Sequence, residues 1–120
     1  MKKILIVEDE KPLARVMNLK LSSAGYQCVV AYNGEEALQE CSKQKFDLIL
    51  LDVVMPIKDG YAVLAELKKL GAKMPVVIVT SNLAQSEDIE KAKSLGVHDY
   101  FIKSESTLSG LVDKVKQYLK

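Results

Sequence analysis

Short, almost wholly apolar runs alternate with helix-period segments five times along this chain, and that alternation constrains the fold more than any other feature. The runs are Lys3–Val7, Gln27–Ala31, Asp47–Leu51, Val76–Val79 and Asp99–Ile102. Val76-Val77-Ile78-Val79 is β-branched throughout, which favours strand over helix. Between the runs, Leu13, Val16, Met17 and Leu21 share one helical face, with Pro12 near the first turn and Gly25 beyond the end. Glu35–Gln44 reads as a second helix. A third is capped by Asp59, carries Val63, Leu64, Leu67 and Leu70 on one face, and stops at Gly71. Ser86–Leu95 reads as a fourth, ended by Gly96. Leu108, Leu111, Val112, Val115, Tyr118 and Leu119 form the stripe of a fifth.

Strands that are apolar on both faces belong in a parallel sheet covered by helices on both sides. Right-handed crossovers turn five such units into a doubly wound (βα)5 sheet, and the flavodoxin-like order 2-1-3-4-5 suits five strands. In that order strands 1 and 3 are neighbours at the switch point, where ligands bind beyond the carboxyl ends. Glu8 and Asp9 follow the first of these strands and Asp52 the other. Three carboxylates at one rim of a core repel one another unless a cation neutralises them. Oxygen-only ligands favour a hard divalent ion, magnesium above all. Strand 4 leads into Thr80 and strand 5 into Lys103, so a hydroxyl and an ammonium face the acids. With Asp52 as nucleophile, these are the parts of a phosphoryl-transfer site.

The rest of the composition narrows the class. The chain has the size of one domain, residues 1–120, and its 48% apolar and 28% charged content is that of a folded protein. A net charge of +1 gives no basis for nucleic-acid binding or attachment to an anionic membrane. Nothing resembles a signal peptide or a membrane span. Cys28 and Cys41 lack metal-ligand spacing and are expected as reduced thiols, which points to the cytoplasm.

Taken with their order and intervals, Val7-Glu8-Asp9, Leu51-Asp52-Val53-Val54-Met55-Pro56, Asp59-Gly60, Val79-Thr80 and Asp99-Tyr100-Phe101-Ile102-Lys103 resemble a response-regulator receiver domain over essentially the full length. The resemblance implies a signalling phosphoacceptor, not an enzyme acting on a separate substrate. Its only catalysis would be its own phosphoryl transfer and slow autodephosphorylation. Asp52 would accept the phosphoryl group from a sensor histidine kinase or a histidine phosphotransfer protein. Asp9, Asp52 and the Val54 backbone carbonyl would hold magnesium, with Glu8 reaching it through water. Lys103 and Thr80 would bind phosphoryl oxygens. Thr80 and Tyr100 would form the switch that alters the face made by the fourth helix, fifth strand and fifth helix. A downstream protein, or a second copy of the chain, would read that face.

Each residue alone has a plainer account. Asp52 could cap a turn, Glu8-Asp9-Glu10 could be a solvated start to the first helix, and Thr80 could satisfy a strand end. Lys103 could be a solvated lysine; as a site residue at the rim it is expected to matter more for phosphorylation than for folding, where surface changes stay within about 0.5 kcal/mol. Tyr100 could simply alternate with a buried Phe101. His98, the single histidine, reads as a solvated turn residue. The chain departs from the family at Ser104, where proline after a cis bond is usual. A cis bond before serine would cost about 3 kcal/mol. Val54 and Asn82 stand where the family tunes hydrolysis, and valine cannot orient water, so a long-lived phosphoryl group is expected. Other readings fare worse. A flavin carrier would need a glycine- and hydroxyl-rich loop where Glu8-Asp9-Glu10-Lys11 stands. The common aspartyl phosphohydrolase needs a second Asp at the position of Val54. A docking module that is never phosphorylated would have no need of the acids.

Overall fold

A computed structural model describes residues 1–52, 60–69, 74–81, 90, 93–94, 96–103 and 107–119. In chain order the elements are β1 (Lys3–Val7), α1 (Lys11–Ser23), β2 (Gln27–Ala31), α2 (Gly34–Lys43), β3 (Leu48–Asp52), α3 (Gly60–Lys68), β4 (Val76–Ser81), β5 (Asp99–Ile102) and α4 (Leu108–Tyr118). The α4 helix is the fifth that the sequence predicts. Of the predicted fourth, Ser86–Leu95, only Glu90, Lys93 and Ser94 are described, and all three are helical. The Asp59 cap and the Gly71 stop lie outside the described residues.

The five strands are all parallel in the order β2-β1-β3-β4-β5, as expected. Successive side chains of a strand point to opposite faces, so each unbroken apolar run supplies two cores. Leu5, Val7, Ile49, Leu51, Val77 and Val79 pack on one face with Ala37 of α2 and Val63, Leu64 and Leu67 of α3. Ile4, Ile6, Leu48, Leu50 and Ile78 pack on the other with Met17 and Leu21 of α1, and Leu111 and Val115 of α4.

Local signals set most element ends. Gly25, at φ +99°, occupies a left-handed position that a side chain would strain, and it ends the α1 turn where Tyr26 N–H returns to the Leu21 carbonyl. The α2 helix begins and ends one residue earlier than predicted, because Asn33 is its cap and accepts from Glu36 N–H at 2.9 Å. The β3 strand is likewise shifted by one. Asp47 stays out of it as a clasp: its carboxylate accepts from Lys3 N–H at 2.8 Å, and its own N–H donates to the Lys3 carbonyl. At the other end Asp52 stands on the ladder itself, opposite Thr80 of β4, which runs on to Ser81. No helix among the described residues is long and apolar enough to cross a membrane.

Candidate functional site

The parallel register carries five of the expected residues to the same end of the sheet. Val7 pairs with Leu51 across β1 and β3, so Glu8 and Asp52 emerge side by side. Asp52 pairs with Thr80, and Thr80 with Phe101, which delivers Lys103 just beyond β5. Glu8, Asp9 and Asp52 each offer a carboxylate oxygen within 4.8 Å of the other two. Glu8 is fully buried, Asp52 is 4% exposed and Asp9 is half-buried.

Lys103 reaches into this cluster. Its Nζ donates to Glu8 Oε1 at 2.5 Å and to Asp52 Oδ2 at 3.0 Å, and its side chain is only 13% exposed. Glu8 is held further by Glu10 N–H, which donates to Oε2 at 3.1 Å. Burial is the main force on the Glu8 carboxyl and pushes its pKa from 4.5 up to about 7. Lys103 pulls it down, and the Asp52 charge adds to the rise. For Lys103, burial disfavours the charge, but the bonds and charges of Glu8 and Asp52 prevail and hold it above its ordinary value. Among the described residues, two acids thus share one ammonium in a buried space.

Thr80 adds a second unmet demand. It is 1% exposed, and among the described residues its Oγ1 has no hydrogen-bond partner. A buried hydroxyl left without a partner costs roughly 1–3 kcal/mol. An orphaned hydroxyl beside clustered carboxylates and a lysine suits a ligand that brings both a hard cation and negatively charged oxygens.

Tyr100 is half-buried and packs against the core on the α2–α3 side, while Phe101 is buried on the α1–α4 side. Val54, Asn82 and Ser104 lie outside the described residues, and with them the backbone ligand, the hydrolysis positions and the peptide after Lys103. The plainer reading of Lys103 as a solvated rim lysine does not hold. The side chain is the counter-ion of two buried acids, and Glu8 touches it directly. The strand order brings Lys103 to face the acids, but its burial between them has no local signature, because the partners are separated by 95 and 51 positions. His98 is exposed, and its Nδ1 accepts from Val77 N–H at 3.1 Å.

A doubly wound α/β domain with a carboxylate–lysine site at its switch point is the class these features define. Residues 4–116 match the family described as response regulator receiver domain. The chain is 37% identical over 120 residues to the transcriptional regulatory protein PcoR of Escherichia coli, covering all of this chain and 52% of that protein. It therefore spans about half the length of that relative. A two-component response regulator from Clostridium difficile superposes with a TM-score of 0.92 at 28% identity, covering 99% of this chain and 96% of the other. The response regulator TrrA from Thermotoga maritima, solved in complex with Mg2+-BeF, gives 0.86 at 30% identity, with coverages of 98% and 99%. The chain belongs to the response-regulator receiver domain family.

Proposed function

We propose that Asp52 is the phosphoacceptor of a two-component signalling switch, and that residues 1–120 act as one receiver unit in the cytoplasm. The observation that carries this is the setting of Asp52. It is a buried carboxylate at the switch point, with Lys103 Nζ at 3.0 Å and the unsatisfied Thr80 hydroxyl opposite it on β4. An Asp52 oxygen attacks the phosphorus of a donor phosphohistidine. The P–N bond breaks, its electron pair stays on the imidazole nitrogen, and an acyl phosphate forms on Asp52. The Lys103 ammonium then has a phosphoryl oxygen to bind in place of a bare carboxylate, and Thr80 has an acceptor for its hydroxyl. Little covalent work is asked of the protein; positioning and charge neutralisation do most of it.

Glu8, Asp9 and Asp52 are the side chains that would hold magnesium, Glu8 through water and joined by the Val54 carbonyl on the family pattern. When bound, magnesium supplies charge neutralisation for the acids and the phosphoryl oxygens. The Mg2+-BeF complex of TrrA supports this reading. Movement of Thr80 toward the phosphoryl group would free space for Tyr100 to turn inward, remodelling the face of the fourth predicted helix, β5 and α4. That face would be read by a downstream protein or by a second copy of the chain. The near-neutral charge gives this domain no nucleic-acid role of its own.

The test is incubation with a small phosphodonor and magnesium, read by intact mass. The wild type gains one acid-labile phosphoryl group and Asp52→Asn gains none. Equal labelling of Asp52→Asn would refute the assignment, and no labelling of the wild type would favour a docking module that is never phosphorylated.

A further inference from the structure

One charged group at the same end of the sheet is arranged in a way that helix stability does not explain. Lys11 opens α1, where a positive charge opposes the helix dipole. The start of α1 is poorly built for stability in other respects too. Glu10 at the cap position makes no side-chain capping bond, and the first turn holds no acid. The α2 helix has the opposite design, with the Asn33 cap and with Glu35 and Glu36 in its first turn. The α4 helix is capped by Thr107.

Three acids, Glu8, Asp9 and Glu10, immediately precede Lys11, yet among the described residues it forms no ion pair. Its Nζ instead lies over the Tyr32 ring, 5.4 Å from the centroid. Tyr32 directly follows β2, whose last residue Ala31 pairs with Val7 and accepts from Glu8 N–H at 3.0 Å. The ring therefore stands on the rim beside the acid cluster. Its backbone is fixed as well. Tyr32 N–H donates to Glu36 Oε1 at 3.0 Å, and Asn33 Nδ2 donates to Glu36 Oε2 at 3.2 Å. A ring face attracts a cation without neutralising its charge. Tyr32 thus keeps the ammonium exposed and out of the carboxylates.

We propose that Lys11, held by Tyr32, is a positioning residue that draws an anionic phosphoryl donor into the site. The inference rests on the reading of Asp52 as phosphoacceptor. Among the described residues Lys103 is the cation set against Glu8, Asp9 and Asp52, so the site repels an incoming phosphoryl group without a metal and holds no surplus positive charge to attract one even with magnesium bound. Lys11 supplies attraction there, and such attraction weakens as salt screens it.

The experiment compares initial labelling rates of the wild type, Lys11→Gln, Lys11→Arg and Tyr32→Leu with acetyl phosphate and magnesium, at low and high ionic strength. Magnesium affinity is measured separately by calorimetry. Lys11→Gln should be slower by about 3–10-fold at low salt, with the gap closing at high salt. Lys11→Arg should restore the rate, and Tyr32→Leu should fall between. Magnesium should bind Lys11→Gln as tightly as the wild type or more tightly, since a nearby positive charge is gone. A wild-type rate for Lys11→Gln at low salt, or a deficit equal at both salts, overturns the proposal. If wild-type protein is itself not labelled, the phosphoacceptor reading falls and this inference with it. Labelled wild type with unchanged Lys11→Gln removes this inference alone.

Discussion

At the amino-terminal end of the strands, polar groups meet partners. Asp47 is clasped to the Lys3 backbone, and Lys3 Nζ donates to Gln44 Oε1 at 2.7 Å. Val77 N–H, which has no further β5 residue opposite it, finds the His98 ring. Asp99 accepts from Lys114 at 3.1 Å and from Tyr118 Oη at 3.0 Å. At the carboxyl end, among the described residues, Glu8 and Asp52 share Lys103, and Thr80 Oγ1 has no hydrogen-bond partner. The titration of the two acids records the contrast. Burial pushes Asp99 up, but the Tyr100 N–H, Lys114 and Tyr118 outweigh it and hold the carboxyl below its ordinary range. Glu8 is pushed the other way. Among the described residues, the amino end is finished for stability, whereas the carboxyl end gathers acids, a lysine and a hydroxyl suited to holding a ligand.

Breaking that contrast most severely requires removing the shared cation. In chelator-containing buffer at pH 8, Lys103→Met should lose about 3–5 kcal/mol, because two buried carboxylates lose the cation they share. Urea unfolding measures the loss, and it should shrink toward pH 5 as Glu8 takes up a proton. Stability unchanged at pH 8 would return Lys103 to the solvated lysine that its local sequence suggests.

The pH profile is the next largest effect. A Glu8 carboxyl raised from 4.5 to about 7 means that the folded state binds more protons than the unfolded chain between those values. Its contribution to stability is full below about 4.5, falls as pH rises to about 7, and is level above. At about 1.4 kcal/mol per pH unit this amounts to about 3 kcal/mol. Glu8→Gln, measured without divalent ions, should lose that slope. Asp99 has the opposite sign: its contribution is present above its ordinary value of 3.8 and is lost as pH falls through the lower folded value.

A smaller gain comes from Thr80→Val, which removes the orphaned hydroxyl at constant shape and should stabilise the domain by about 1 kcal/mol while impairing the response to phosphorylation. Smallest is Lys114→Ala at the opposite end. Its ion pair with Asp99 is 27–28% exposed, so a loss below about 1 kcal/mol is expected in thermal unfolding. If Thr80→Val destabilises and Lys114→Ala is neutral, the contrast between the two ends is wrong.

Much of this was legible in the sequence for a definite reason. A parallel strand buried on both faces has no freedom to alternate, so Leu48–Leu51 and Val76–Val79 declared themselves and carried Asp52 and Thr80 to their ends. What escaped was set by distant partners. The start of β3 moved because Asp47 caps the Lys3 backbone, 44 positions away. The burial of Lys103 depends on acids from β1 and β3, and its own neighbours carry no trace of them.

That separation bears on how the chain folds. Glu8 leaves the first strand and its counter-ion follows the last, 95 positions later. Closing so long a loop is slow and entropically costly, and nothing local rewards it until β5 docks. Any species that has joined β1 to β3 without β5 holds the two acids together with no lysine between them. The acids therefore disfavour a partly assembled sheet and favour the complete one, which makes docking of the final strand the step that relieves them.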